Sequence, residues 1–394
     1  MMPEVGPLDS RISQAPTRSL ARVVGRARRL RSGTLTPWVL PGAARFYEAR
    51  WAWMLRRAPV VTGAEHAARS GVKDIEEIVA CDLCGQDRFQ PLFHPKRRRQ
   101  HYHVVRCPGC GFLYRQPGIK PERLGELYSS GKYGKFLTGK YSGKRQRRYR
   151  LVMDAFSPLL SDGTGRRLLD FGCGAGLFLE VAHERGFDCY GVDLSQDAID
   201  HARKQPWGAN AYHGAPLEVP EIAAGGFDVI TLWSVLAHLA TPVEDFRMLR
   251  SLLAPDGVLL VLTVNANSLF LKARREDWNG FTPNHLKFFS PTTLPRLLAK
   301  AGFAAVTMPP MPPDSVATGH TNLTPRQLRR LHRNTENGNT GNMLRAVAYN
   351  LADTPARRGV TDDTRLLNTE ASALSPDIQP SSGTTDVVAG RRSR

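Results

Sequence analysis

The chain has 394 residues, of which 41% are hydrophobic and 23% charged, and its formal net charge is +18. This composition predicts folded domains with a large core, and the longest apolar run, GVLLVLTV at 257–264, is too short to span a bilayer. Because the first residues also contain no apolar signal segment, we expect no transmembrane segment and a cytoplasmic location.

The positive charge is concentrated in the N-terminal part. Residues 1–160 carry 30 Lys and Arg against 12 Asp and Glu, whereas residues 161–310 carry 13 against 16. A polyanion such as RNA would therefore contact the first part of the chain.

Residues 1–78 are rich in Arg, Ala, Ser and Pro and are predicted to form a basic, partly disordered extension. Within them, residues 18–33 place apolar side chains on one helical stripe and arginines on the other. A helix of this kind lies on a membrane surface, on RNA or simply in solvent.

Residues 79–117 form a compact cysteine module. It contains two C-x2-C pairs: Cys81, Cys84, Cys107 and Cys110. Two such pairs supply the four thiolates of a tetrahedral zinc site, and a closed four-thiolate shell predicts a structural role. Between the pairs lies a basic stretch, for which a solvated loop, a second metal site and a polyanion contact remain open; its histidines are His94, His101 and His103.

A basic linker or helical segment is predicted at 118–150, and strand-like runs then alternate with helical patterns over 151–310. The predicted strands are RRLLDF, DCYGVDL, FDVITLW and GVLLVLTV. This alternation predicts an α/β fold with a doubly wound parallel sheet and helices on both faces. Residues 311–394 are predicted to form a largely disordered tail, with NMLRAVAYNLAD as a short ordered piece.

A glycine loop follows the first of these strands in LLDFGCGAG. Gly172 and Gly174 allow a tight turn and a close approach of the backbone to a ligand. Asp193 ends the next strand, where an acid accepts hydrogen bonds from both hydroxyls of a ribose. Leu177 stands where a dinucleotide fingerprint requires a third glycine, and Asp170 before the loop disfavours a pyrophosphate. The pattern predicts a nucleoside-bearing ligand with a cationic group.

In this order, LLDFGCGAG, GVDLS, FDVITLW and LLAPDGVLLV resemble the motifs of class I S-adenosylmethionine-dependent methyltransferases. The cysteine module, together with NHLKFFSPTTLPRLLAKAGF, is similar to a bacterial subgroup with an N-terminal four-cysteine zinc ribbon. The resemblance covers roughly residues 80–308 and implies a Rossmann-like sheet, S-adenosylmethionine as cofactor and structural Zn²⁺.

The resemblance also implies roles for individual residues. Asp170 and the amides of the glycine loop would hold the methionine part of the cofactor; the loop residues are Gly172, Cys173, Gly174 and Gly176. Asp193 would bind the ribose, and Leu194 and Leu217 would cover the adenine. Trp233 would lie beside the methyl group. Ala215 stands where this fold often has an acid near the adenine amino group.

Two histidines fall on predicted active-site loops, His238 in LWSVLAHLATP and His285 in FTPNHLKFFS. Imidazole has the pKa range for removing a proton from a methyl acceptor, and bracing the loop is the alternative role.

We therefore predict a methyltransferase acting on a small-molecule acceptor, such as a sugar, a polyketide-like or a quinone-type metabolite. The alternative is an RNA methyltransferase whose zinc ribbon and basic N-terminal arm hold RNA, and a third hypothesis is a non-enzymatic interaction module. The acceptor atom, the oligomeric state and the roles of the extensions do not follow from the residues.

Overall fold

The computed structural model describes residues 43–69, 72–95, 102–128, 142–160, 162–308 and 341–351. The basic stripe predicted at 18–33, His101 and the end of the predicted tail beyond residue 351 lie outside these residues. Among the described residues, no helix has both the length and the apolar character needed to span a membrane.

The N-terminal part of the described chain builds a small antiparallel sheet. In chain order its elements are α1 (Ala43–Arg57), β1 (Val61–Thr62), α2 (Gly63–Arg69), β2 (Glu76–Glu77), β3 (Arg88–Phe93), β4 (His103–Arg106), β5 (Leu113–Gln116), β6 (Gly118–Ile119) and α3 (Leu124–Tyr128). Strands β1, β3, β4 and β5 pair in that order, and β2 pairs with β6.

The rest of the described chain alternates helices and strands. Its elements are α4 (Ser142–Ala155), α5 (Ser157–Leu160), β7 (Arg167–Phe171), α6 (Leu177–His183), β8 (Asp188–Asp193), α7 (Gln196–Ala202), β9 (Ala211–His213), α8 (Pro220–Ala223), β10 (Phe227–Trp233), α9 (Pro242–Leu252), β11 (Leu253–Val264), α10 (Leu269–Arg274), β12 (Lys287–Phe288), α11 (Leu294–Lys300), β13 (Ala305–Thr307) and β14 (Met343–Tyr349).

Seven of these strands form one sheet in the order β13-β14-β11-β10-β7-β8-β9. Strands β7 to β11 pair in parallel, whereas β14 runs antiparallel to both of its neighbours. The prediction of a doubly wound α/β sheet is confirmed. The middle parts of β7, β10 and β11 are buried, namely residues 168–170, 229–233 and 257–263, as expected where both faces of a sheet are covered. The carboxyl ends of the parallel strands consequently share one edge, where ligands bind in such folds.

Strand β14 follows the domain end predicted at residue 310, and it lies inside the sheet between β11 and β13. Its register pairs Val258 with Tyr349 and Val264 with Met343, so the strand runs along the apolar half of β11. Leu344 and Val347 pack into the cores on opposite faces of the sheet. The boundary predicted at 150 also falls inside a helix, since α4 continues to Ala155.

The cysteine module is joined to the larger domain by a shared sheet. Strand β12 pairs antiparallel with β5, which extends the small sheet to the order β1-β3-β4-β5-β12. One apolar cluster contains Cys107 and Phe112 of the module together with Phe289 and Leu294 of the larger domain. The two parts therefore fold around a common core.

Helix α1 packs on this joined structure, within the segment predicted to be partly disordered. Trp51 stacks on Phe93 of β3 with ring centroids 5.8 Å apart. On α10, the buried Lys272 Nζ lies 2.6 Å from Glu48 Oε1 of α1. Residues 43–57 are thus folded, and their Ala-rich sequence without Gly or Pro favours the helix.

Candidate active site

The glycine loop connects β7 to α6 at the carboxyl edge of the large sheet. Gly172 and Gly176 have φ angles of 75° and 76°, in the left-handed region that favours glycine. A Cβ atom at Gly172 would lie 2.5 Å from Val235 Cγ2, so the chain after β10 leaves no room for a side chain there. The backbone of the loop therefore packs directly against the Val235 side chain.

Asp170, at the end of β7, is buried under this loop. Thr231 Oγ1 donates a hydrogen bond of 2.7 Å to Asp170 Oδ1. Burial raises the pKa of Asp170 to about 8, the Thr231 hydroxyl opposes that rise, and the charge of Asp193 adds to it. A cationic ligand group would favour the ionised form of this acid.

Asp193 ends β8 next to the glycine loop. Its two carboxylate oxygens accept hydrogen bonds from Gly174 N at 2.8 Å and Ser195 N at 2.9 Å. Burial raises the pKa of Asp193, and the amides of Ser195 and Gly174 counteract that rise. The amides fix the carboxylate beside the loop, and its further lone pairs suit ligand hydroxyls.

Two large apolar side chains near Asp193 are exposed to solvent. Leu194 is 39% exposed and Leu217 is 59% exposed. His213 Nε2 lies 3.2 Å from the Leu194 carbonyl and so ties the end of β9 to this segment. On the following turn, Glu218 Oε2 accepts from Ala215 N at 3.3 Å. An acid is thus present beside position 215, three residues later than the sequence analysis sought it.

The structure buries the side chains of two predicted cofactor residues. A Cβ atom at Gly191 would lie 2.7 Å from Cys173 Sγ, so this thiol packs under the loop and only the backbone of Cys173 is left for a ligand. Trp233 is 6% exposed, and its ring lies 4.9 Å from that of Phe178 and 5.9 Å from that of Phe156. Trp233 therefore belongs mainly to the core at the end of β10.

The structure brings the two predicted catalytic histidines together. The rings of His238 and His285 have centroids 4.7 Å apart and meet edge to face. His238 Nδ1 lies 2.9 Å from the Asn284 carbonyl oxygen, and His285 Nδ1 lies 2.6 Å from the Gly280 carbonyl oxygen. Because a carbonyl only accepts, these partners assign the proton to Nδ1 and the lone pair to Nε2 in both neutral rings.

Both imidazoles are held in the neutral form. Burial lowers the pKa of His238 to about 3, and the neighbouring His285 lowers it further against the opposing bond to Asn284. Burial also lowers the pKa of His285, although its bond to Gly280 opposes the shift. Each ring therefore has an unprotonated Nε2 at neutral pH.

Tyr128 completes this group and was missed from the sequence. Its hydroxyl lies 2.9 Å from His238 Nδ1, across 110 positions of the chain. Burial raises the pKa of Tyr128, and the negative charge of Asp193 raises it further. The phenol is thus within hydrogen-bond distance of His238 and electrostatic range of Asp193. No local motif marks it, because Tyr128 reaches the site from the segment between the two parts.

A protein-family profile described as a methyltransferase domain matches residues 141–308. Residues 141–308 therefore match a methyltransferase domain, as the resemblance of the sequence motifs implied. The α/β sheet is the feature of such a domain that the sequence analysis expected.

Several similar proteins are named as methyltransferases. The ubiquinone biosynthesis O-methyltransferase of Psychrobacter arcticus is 32% identical over 152 residues, which are 35% of this chain and 59% of that protein. The protein of the same name from Caulobacter sp. is 37% identical over 114 residues, 26% of this chain and 45% of its own length. The chain thus spans about three fifths or less of these relatives. A solved SAM-dependent methyltransferase from Archaeoglobus fulgidus is 19% identical and covers 56% of this chain and 98% of its own, with a TM-score of 0.40.

Beside the methyltransferase domain, the four predicted metal ligands come together. Their sulfur atoms all lie within 4.8 Å of one another: Cys81, Cys84, Cys107 and Cys110. The Cys81–Cys110 and Cys84–Cys107 sulfur pairs are each 3.4 Å apart. Tetrahedral Zn–S bonds of about 2.3 Å place sulfurs roughly 3.8 Å apart, so the donor set fits zinc.

Each cysteine pair sits on a tight turn closed by a glycine. Gly85 N donates to the Cys81 carbonyl at 2.8 Å, and Gly111 N donates to the Cys107 carbonyl at 2.9 Å. Gly85 and Gly111 have φ angles of 74° and 79°, which a side chain would strain. The two turns repeat one geometry, as expected for matching knuckles around one ion.

The basic stretch between the cysteine pairs was considered as a second metal site because of its histidines. His94 and His103 have ring centroids 4.8 Å apart, and burial together with the charges of His66 and His94 lowers the pKa of His103 to about 4. Within the described residues, the four cysteines are the one group of His, Cys, Asp or Glu side chains close enough to hold a metal ion. The described geometry therefore gives no support to a second metal site here.

Proposed function

We propose that the chain transfers a methyl group from S-adenosylmethionine to a small-molecule acceptor, with His238 as the proton acceptor. The observation that carries this proposal is the contact of two neutral imidazoles and Tyr128 at the carboxyl edge of a methyltransferase sheet. His238 Nε2 takes the proton because its Nδ1 is engaged by Asn284 and Tyr128. His285 packs edge-on against His238 and fixes the plane of its ring.

When bound, S-adenosylmethionine supplies an activated methyl group on a sulfonium. The chain then has three tasks, which are to hold the cofactor, to align the acceptor with the methyl carbon and to remove the acceptor's proton. Asp170 would pair with the cofactor's amino group, and Asp193 would accept from its ribose hydroxyls. The amides of Gly172 and Cys173 already donate to the Val192 carbonyl and that of Gly174 to Asp193, so they shape the loop rather than bind the cofactor's carboxylate. Leu194 and Leu217 would cover the adenine, and the side chains of both are exposed to solvent.

The acceptor is a hydroxyl or a similarly acidic group on a small metabolite. Because burial lowers the pKa of His238 to about 3, its imidazole is a weaker base than a free one and suits a nucleophile that loses its proton readily, such as a phenol or enol. The names of the relatives support a quinone-type metabolite over a sugar or a polyketide-like one. Oxygen is therefore the proposed acceptor atom.

RNA is the second candidate acceptor, favoured by the basic charge of residues 1–160. Among the described residues before residue 160, however, several arginines are used within the protein. Arg106 Nη1 donates to Gln90 at 3.0 Å, buried Arg115 pairs with Glu76, and Arg123 pairs with Asp74 at 3.0 Å. Side chains engaged in this way are poorly placed to grip a phosphate backbone, which supports the small molecule.

Zinc in the four-cysteine site has a structural role in this proposal. Four thiolates close the coordination shell and leave no position for water or substrate. Such thiolates persist in a reducing compartment, so we place the enzyme in the cytoplasm.

Incubation with methyl-labelled S-adenosylmethionine and a panel of phenols, enols, sugars and RNA tests the proposal. We expect label on a phenol or enol and release of S-adenosylhomocysteine, with no label on RNA. Labelled RNA together with binding that weakens steeply with salt would favour the second candidate. No calorimetric binding of S-adenosylmethionine at millimolar concentration would overturn both enzymatic proposals.

A further inference from the structure

The cysteine module forms hydrogen bonds with residues 282–286, which we call the histidine loop. Tyr102 Oη donates to the Thr282 carbonyl at 3.0 Å. Arg115 Nη1 donates to the Pro283 carbonyl at 2.7 Å, and Arg115 N donates to the Leu286 carbonyl at 2.8 Å. Two module residues therefore occupy three carbonyls of the loop that carries His285.

The other side of the histidine loop faces the turn that carries His238. The Asn284 carbonyl bonds to His238 Nδ1 at 2.9 Å, and Leu286 N donates to the Ala237 carbonyl at 2.6 Å. The loop therefore lies between the module and the His238 turn, with hydrogen bonds on both sides. Any displacement of the loop moves the carbonyl that orients His238.

Arg115 is itself held firmly inside the module. Its side chain is buried, pairs with the buried carboxylate of Glu76 and donates through Nε to the Pro117 carbonyl at 2.9 Å. The guanidinium also lies 4.5 Å from the centre of the Tyr102 ring. With its planar group fixed on several sides, Arg115 presents Nη1 to Pro283 in one orientation.

A second connection runs from the histidine loop to the cysteine turns. Strand β12 directly follows the loop and pairs with β5, Lys287 opposite Tyr114. The buried Lys287 Nζ lies 2.6 Å from the carboxylate of Asp82, which stands between Cys81 and Cys84 in the first turn. The strand after the loop is thus anchored at the four-cysteine site.

We propose that the cysteine module positions the catalytic histidines, with Tyr102 and Arg115 as the positioning residues. This inference rests on the proposed function, since it assigns the module a task at that same site. The loop has few hydrogen bonds of its own, because Pro283 lacks an amide proton and most loop carbonyls bond to other parts of the chain. Without the module, the Asn284 carbonyl and His285 lose their fixed places, and His238 loses the partner that sets its tautomer.

The test compares two substitutions that each remove one phenolic hydroxyl from the module. Tyr102→Phe deletes the bond to Thr282 and keeps the ring beneath Arg115. Tyr114→Phe is the matched control, because Tyr114 Oη is buried without a hydrogen-bond partner among the described residues. The measurement is amide hydrogen exchange, followed by mass spectrometry, in the peptide that contains His285 and Leu286.

We expect exchange in this peptide to be about fivefold faster in Tyr102→Phe, the effect of one lost hydrogen bond, and unchanged in Tyr114→Phe. In Tyr102→Phe the ¹⁵N signals of His238 should also shift towards a mixture of tautomers, which a purely structural role would not produce. Unchanged exchange in Tyr102→Phe, or equal acceleration in both variants, overturns the proposal.

If Tyr102→Phe fails to fold, the double substitution Arg115→Met with Glu76→Gln replaces it, because removing both partners leaves no buried charge behind. Calorimetry with S-adenosylmethionine on the unaltered chain separates the two proposals. Absent cofactor binding overturns the proposed function and leaves the exchange result valid. Normal cofactor binding with unchanged exchange overturns only the positioning role.

Discussion

The rings of His238 and His285 meet edge to face at 79°, with their centroids 4.7 Å apart, and each presents Nδ1 to a main-chain carbonyl. This relationship gives both rings the same neutral tautomer, with the lone pair on Nε2. It also brings together a turn after β10 and a loop before β12. Two candidate bases predicted separately from the sequence thus become one group.

Both histidines should therefore stay neutral at mildly acidic pH. Burial lowers the pKa of His238 to about 3 and lowers that of His285 as well. In ¹⁵N spectra of the intact protein, we expect the two rings to show the Nδ1–H tautomer without change from pH 8 to pH 5. A titration of either ring near pH 6.5 would contradict the buried, carbonyl-bonded arrangement.

His238→Asn should remove proton transfer and leave cofactor binding intact. General-base groups contribute about 10²- to 10⁴-fold to rate, so we expect kcat to fall by that range on the acceptor found. His183→Asn is the control, because His183 is exposed at the end of α6. Label transfer and calorimetry with S-adenosylmethionine make the comparison. A kcat within twofold of the unaltered enzyme would exclude His238 as the base.

The sequence predicted the parts of the fold that depend on local pattern. Strands β7, β8, β10 and β11 are apolar runs ended by turn residues, so their pattern was sufficient. Strand β14 was separated from its neighbours by a Pro-, Asn- and Thr-rich stretch, and sequence alone did not reveal that it pairs with β11. Its place depends on the gap between β11 and β13, which is a property of the assembled sheet.

The candidate site likewise contains residues that the sequence predicted and residues that it did not. Asp170, Asp193 and the glycines follow directly from strand ends, where chain order determines position. Tyr128 had no such signal, because its contact with His238 depends on how the module packs on the larger domain. The buried side chain of Cys173 likewise reflects packing against Gly191, which the loop motif does not encode.

Asp193→Ala should cost most of the affinity for S-adenosylmethionine. In the proposed binding mode the substitution removes the charged acceptors for the ribose hydroxyls, and it also leaves the amides of Gly174 and Ser195 without their partner. Hydrogen bonds to a charged group predict a loss of about 10- to 100-fold. Asp197→Ala, at an exposed acid in the first turn of α7, is the control. An unchanged dissociation constant for Asp193→Ala, measured by calorimetry, would place the cofactor elsewhere.

Asp170 should make both stability and cofactor binding depend on pH. Its pKa is raised from 3.8 to about 8, mainly by burial. Between these values the folded protein keeps a proton that the unfolded chain has released, so the free energy of unfolding falls as pH rises through this window. Asp170→Asn keeps the shape of the side chain and should flatten this dependence in urea titrations at pH 5, 6.5 and 8.

The same acid predicts proton release on cofactor binding. Pairing with an ammonium group requires ionised Asp170, so binding near pH 6.5 should expel close to one proton. Calorimetry in buffers of different ionisation enthalpy measures this number, and Asp170→Asn should reduce it to near zero. Equal proton release by the variant would show that another group pairs with the cofactor's amino group.

Zinc should be bound in one equivalent and should support the join between the two parts. Cys84→Ser removes one of four ligands at an exposed position, whereas Cys189→Ala removes a thiol from the core and spares the cluster. We expect zinc, measured by atomic emission, to fall well below one equivalent in Cys84→Ser and to stay at one in Cys189→Ala. Because Asp82 lies within the first cysteine turn and pairs with Lys287 of β12, metal loss should also raise amide exchange in β12. A chain purified without zinc, with β12 exchange unaffected by chelator, would contradict the structural role of the metal.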